Sequence, residues 1–203
     1  MRINEILTED IEQLPQFIMQ HCQPFLQAID YEINDFRLHR GMRQHDHGTL
    51  IMPGVWKYDV MKHRRPKDMP LELHDVIDSY FYRKTGIHFR SNATFATSNT
   101  AEIMDYGTGY RFFPIGEFSF CWSPKVVDLF KEYEDLPSKA LLDRNHEFDE
   151  TKVFAWLDEL WYSTSDLKGA INSGHEIMFN CSSYIVIDSL KSGFYKSWIQ
   201  VSK

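Results

Sequence analysis

The strand-like stretches of this sequence do not alternate regularly with crossover helices, and that limits the folds open to it more than any single motif does. "NATFATS", "GYRFFPI" and "EFSFCW" follow one another between turn formers, and "EIMFN" and "YIVID" come late, around a polar turn. β-Branched and aromatic residues bounded by Gly, Asn and Ser mark each of them as a strand. A doubly wound parallel sheet needs a helix after each strand. The pattern therefore predicts an α+β fold with mixed or antiparallel sheets.

Helical spacing is confined to a few segments. "TEDIEQLPQFIMQHCQPFLQAI" places Ile11, Leu14, Phe17, Ile18, Cys22, Phe25 and Leu26 on one face, with Thr8 as N-cap and Pro15 and Pro24 as punctuation. "PLELHDVIDSYFYRKT" opens at Pro70, repeats Leu73, Val76, Ile77, Tyr80 and Phe81, and stops at Gly86. Pro124 opens "PKVVDLFKEYE", and "TKVFAWLDELWY" carries Val153, Phe154, Leu157, Leu160 and Trp161. A short strand, "DFRLHRGM", and a polar loop, "RQHDHGT", precede "LIMPGVWKYDV", and "SWIQVS" is a candidate closing edge strand. With no repeat or linker between these segments, residues 1–203 read as one domain: a helical N-terminal extension over 1–30 and an α+β core over 31–203.

A chain that is 43% hydrophobic and 15% aromatic has ample material for a packed core. No apolar run approaches the roughly 20 residues a membrane helix needs, and "MRINEILTED" turns acidic before any signal-peptide core, so the expectation is a cytoplasmic protein without a membrane partner. Cys22, Cys121 and Cys181 lie far apart in apolar or aromatic surroundings, as reduced core thiols do. A net charge of −7 argues against general polyanion binding. One stretch departs from that average: Arg37, Arg40, Arg43, Lys57, Lys62, Arg64, Arg65 and Lys67 crowd together with His39, His45, His47 and His63, which suits either a solvated face or phosphate recognition.

Phosphate-binding GxxxxGK[ST], dinucleotide GxGxxG, GxSxG and HExxH motifs are all missing. "HDH" at 45–47 offers two imidazoles without a third ligand at a predictable spacing, so no metal site is assigned. An ordered trio stands out instead: an arginine in "FRLHRG", a hydroxyl pair in "TFATSN", and a glutamate opening "GHEIMF". This trio resembles the Arg, Ser/Thr and Glu pattern of toxin-type ADP-ribosyltransferases, and "HEIMFNCSSYIVID" carries the closest likeness. "AEIMDYGTGYRFFPIGEF" is similar to the alanine-bearing turn and strand that follow the family's second motif. The likeness touches about half the chain, discontinuously. "PLELHDVIDSYFYRKTGIHFRSNATFAT" and "FPIGEFSFCWSP" also resemble uncharacterised small proteins of tailed bacteriophages, which would place the protein in a host cytoplasm.

The resemblance implies an ADP-ribosyltransferase-like fold whose sheets form an NAD cleft, with NAD as substrate and a protein or nucleic acid as acceptor. Cleaving nicotinamide from NAD passes through an oxocarbenium-like ribose, and the resemblance gives Glu176 the task of stabilising that charge. It gives Arg40 the phosphate or ribose of NAD, leaves the backbone at Gly41 open to the nicotinamide amide, and has Thr97 and Ser98 orient Glu176; Phe95 and Tyr106 would line the pocket. The chain departs from the pattern where the family carries an acid or glutamine two residues before the catalytic glutamate, since Gly174 stands there. The hydroxyl motif reads ATSN, and "WSPKVVDLFKEYEDLPSKALLDRN" must be an insertion between the second and third motifs. Two other readings stay open: a non-catalytic virion or host-takeover interaction protein on the same fold, and a nucleic-acid-directed factor using the basic 37–67 stretch.

Overall fold

The computed structural model describes residues 13–33, 35–43, 48–66 and 68–188. Along the chain run helix α1 (described over residues 13–21), α2 (Gln23–Ala28), strands β1 (His39–Met42), β2 (Thr49–Met52) and β3 (Val55–Asp59), then α3 (Leu71–Thr85), β4 (Thr94–Ala96), α4 (Thr100–Tyr106), β5 (Thr108–Trp122), α5 (Leu129–Glu134), α6 (Glu150–Glu159), α7 (Leu167–Ser173) and β6 (Ile177–Asp188). The six strands form one sheet in the order β1-β5-β6-β3-β2, with β4 also paired to β6. β1 runs antiparallel to β5, β3 to β6, and β2 to β3, so the class is α+β with an open antiparallel sheet.

The chain divides into two compact units. The first draws on residues 1–59, 96–118 and 181–203, and the second on 60–95 and 119–180. In the first, Leu14, Ile18, Cys22, Phe25 and Leu26 are buried, so the face read from the spacing is a core face. The Phe25 ring meets Phe113 and Phe118 edge-on at 6.0 Å, a geometry that aromatic quadrupoles favour. In the second, α3 and α6 close a core of Leu73, Ile77, Phe81, Val153, Leu157 and Met178. Burial pushes the thiols of Cys22 and Cys121 up to about 12, which leaves them inert.

Several boundaries differ from those the sequence suggests, each for a physical reason. "GYRFFPI" and "EFSFCW" are one strand, β5, which passes through Gly116 at φ +66. "EIMFN" and "YIVID" are likewise one strand: Ser183 and Tyr184 pair with Asp59 and Tyr58 instead of turning, because a partner strand satisfies their backbone groups. The helix after Pro124 starts only at Leu129, where the Asp128 carboxylate accepts from the Phe130 and Lys131 amides at 2.7 and 3.2 Å. Helices α4 and α7 have seven residues each, too short for a periodic signal. Thr8, Ile11, "HDH" at 45–47 and "SWIQVS" lie outside the described residues.

Candidate functional site around Glu176

In the second unit, one buried acid folds the loop that follows α3. Gly86 ends the helix in the left-handed region at φ 77, where glycine carries no Cβ penalty. The chain then returns to Asp78 on the buried side of α3. Asp78 Oδ1 accepts from the backbone amides of Arg90 and Ser91 at 2.8 and 3.1 Å. Its Oδ2 takes the Ser91 hydroxyl at 2.6 Å and lies 2.9 Å from His88 Nδ1. Four contacts on one carboxylate fix residues 88–91, and this aims the Arg90 side chain. Arg90 Nη1 donates to Glu176 Oε1 at 3.2 Å and sits 3.9 Å from Met178 Sδ. The Arg90 side chain is 7% exposed and that of Glu176 23%, so the guanidinium is buried and the glutamate side chain partly exposed.

Glu176 is anchored from its own backbone as well. Gly174 caps α7 in the left-handed region at φ 76. The His175 amide donates to Ser173 Oγ at 3.1 Å, and His175 Nδ1 lies 2.8 Å from the Ser123 carbonyl. The Glu176 amide donates to the Val127 carbonyl at 3.0 Å, so the residue is fixed one position before β6 begins. The Gly174 that departs from the transferase pattern thus has a local cause: this position needs a backbone conformation that a glutamate or glutamine adopts poorly.

Burial pushes the Glu176 carboxyl up to about 7; the Arg90 charge pulls it back down, Asp128 pushes it up, and Arg64 pulls it down. Burial holds the Tyr162 phenol well above its ordinary 10, and the Glu176 charge adds to that. The guanidinium carbons of Arg64 and Arg90 lie 4.1 and 4.9 Å from the Phe95 ring centroid. The unit therefore presents a carboxyl near half-ionisation at neutral pH, held by a guanidinium and close to a protonated phenol. Such a group can stabilise a neighbouring cation or exchange a proton.

The remaining residues singled out from the sequence fall as follows. Phe95 and Glu176 belong to the second unit, linked through Arg90, whereas Arg40, Gly41, Thr97, Ser98 and Tyr106 belong to the first. Arg40 stands opposite Tyr110 in the β1–β5 register, with its guanidinium carbon 5.4 Å from the Tyr184 ring centroid. A Cβ on Gly41 would fall 2.6 Å from Tyr106 Cβ and 2.7 Å from the Ile103 carbonyl oxygen, so this glycine admits α4 against β1. Thr97 exchanges two backbone bonds with His39, at 2.8 and 2.9 Å, and its hydroxyl accepts from the Asn99 amide at 3.0 Å. Ser98 is half-buried in the turn before α4. Of the basic stretch, Arg64 is folded over Phe95, while Lys62 and Arg65 are exposed.

Sequence reading missed Arg90, Asp128 and Tyr162, and only Arg90 left a trace, as a cation beside the hydroxyl-motif strand in "HFRSNATF". Among the described residues, no group of acids, histidines and cysteines is arranged to hold a metal ion, and no helix is long and apolar enough to cross a membrane. Comparison with family models, with curated proteins and with solved structures finds no match for this chain.

Proposed function

We propose that the protein is an NAD-dependent ADP-ribosyltransferase whose chemistry centres on Glu176. One observation carries this reading: a partly open carboxylate, pinned at the start of β6 and braced by a buried guanidinium at 3.2 Å. A fixed carboxylate of this kind suits a reaction in which positive charge grows on a sugar. The bond from nicotinamide to ribose C1′ breaks, its electron pair leaves with nicotinamide, and the carboxylate stabilises the cationic ribose until an acceptor attacks. The acceptor's proton needs a base, and a carboxylate with an affinity near neutrality can take it. Arg90 positions the carboxylate through a charge-assisted bond, and Phe95, stacked on that guanidinium, limits how far it can swing.

The test is release of nicotinamide from ring-labelled NAD by the full chain, followed across pH. Release should rise with a midpoint of about 7, because the ionised carboxylate is the active form. Glu176→Gln should slow release by roughly a hundredfold to a thousandfold, the cost of losing one preorganised electrostatic contact. A wild-type chain that releases no nicotinamide would reject the reading and favour the non-catalytic interaction protein, in which the Arg90–Glu176 pair serves only to pin β6.

A further inference from the structure

One aromatic in the second unit is placed at a cost and left largely exposed. Trp161 follows α6 with φ 56, a region that bulky side chains avoid, and it is 64% exposed. Strain of this kind persists where the surroundings impose it and gathers at sites of binding. The surroundings here are the Ser123–Asp128 strap. Its Ser123 hydroxyl donates to the Leu160 carbonyl, and Lys125 Nζ donates to the Glu159 carbonyl at 2.8 Å. The same ammonium lies 3.7 Å from the Trp161 ring centroid. The strap also holds the start of β6: Ser123 O lies 2.8 Å from His175 Nδ1, and Val127 O accepts from the Glu176 amide at 3.0 Å. One six-residue strap is therefore bonded both to the segment that carries Trp161 and to the backbone at Glu176.

We propose that Trp161 is a stacking platform for the base of an adenine nucleotide whose phosphates reach Lys125. An exposed indole accepts a planar base on its face, and the ammonium beside it supplies the charge that a phosphate seeks. The identity of the nucleotide rests on the reading of Glu176 given above, whose substrate carries an adenine and two phosphates.

Calorimetric titration of the full chain with ADP tests the platform apart from the chemistry, since ADP has no nicotinamide to lose. Wild type should bind ADP saturably. Trp161→Leu should weaken binding about tenfold or more, and Trp161→Phe should restore part of it, as expected when a base loses and then regains an aromatic face. Lys125→Met should weaken ADP and leave adenosine unchanged. Ribose 5-phosphate should be indifferent to Trp161→Leu. Equal ADP affinity in wild type and Trp161→Leu, or no ADP binding by wild type, would overturn the proposal. Nicotinamide release without an effect of Trp161→Leu on ADP would keep Glu176 and remove the platform; ADP binding that depends on Trp161 without any release would do the reverse.

Discussion

The ionisation of Glu176 ties stability to pH in a direction opposite to that of an ordinary surface glutamate. In the folded chain its carboxyl keeps a proton up to about 7, against 4.5 ordinarily, so between those values the folded state binds more protons than the unfolded one. The stability gained by burying a neutral carboxyl is therefore full below about 4.5 and is lost as pH rises through 7. His39 works the other way: burial, then Arg111 and Arg37, lower its imidazole from 6.5 to about 4, so its contribution is lost as pH falls through that interval. Because the two overlap, the useful quantity is the difference between wild type and Glu176→Gln. Urea midpoints at about pH 5 and about pH 8 should show wild type losing ground to the variant as pH rises. Asp128→Asn gives a finer check. It keeps an oxygen for capping α5 but removes the charge that raises Glu176, so the carboxyl's NMR titration should move to lower pH. An unmoved titration would detach Asp128 from the site.

At the level of elements, Gly174 ties the end of α7 to the start of β6, and Gly174→Gln should destabilise the protein by on the order of 1 kcal/mol. A thermal melt measures it, and an unchanged midpoint would mean the left-handed cap is not needed. The long helices were legible because their apolar spacing repeats over several turns: α3 runs from the residue after Pro70 to the one before Gly86, as read. The class was legible from the missing crossovers. Strand continuity was not, since Gly116 and the polar Cys181–Ser183 look like turns until a partner strand is present to hold them extended. Glu176 stands out because the strand-like motif it precedes resembles the transferase pattern. Arg90 does not, because its aim is set by Asp78, twelve residues back on the buried side of a helix, and no local pattern records a staple of that kind.

For the molecule as a whole, charge and core decide what can be expected. A net −7 outweighs the basic stretch between Arg37 and Lys67, and one of its arginines, Arg64, is folded over Phe95. The protein should pass through an immobilised RNA or DNA column at about 150 mM salt, since too few phosphates can be neutralised to release many counterions. Retention that falls steeply with salt would revive the nucleic-acid reading. The core of the second unit should tolerate little: Leu157 is fully buried, and Leu157→Ala should cost about 2–5 kcal/mol, read from the denaturant midpoint. A loss well under 1 kcal/mol would mean that α6 relaxes into the space, against the place of Leu157 in the buried cluster it shares with Leu73 and Ile77.

The place of β6 in the sheet has a consequence for how the chain comes together. It lies between β5 and β3, yet it is the last described element to be made. Until it arrives, β1 with β5 and β2 with β3 are separate antiparallel pairs, and the β3 residues 55–59 wait for partners at 183–187. Closing contacts so far apart in sequence is slow, and unpaired edges left waiting are prone to join other chains. A nascent chain that has emerged only as far as α7 therefore holds the pieces of its sheet without the strand that joins them.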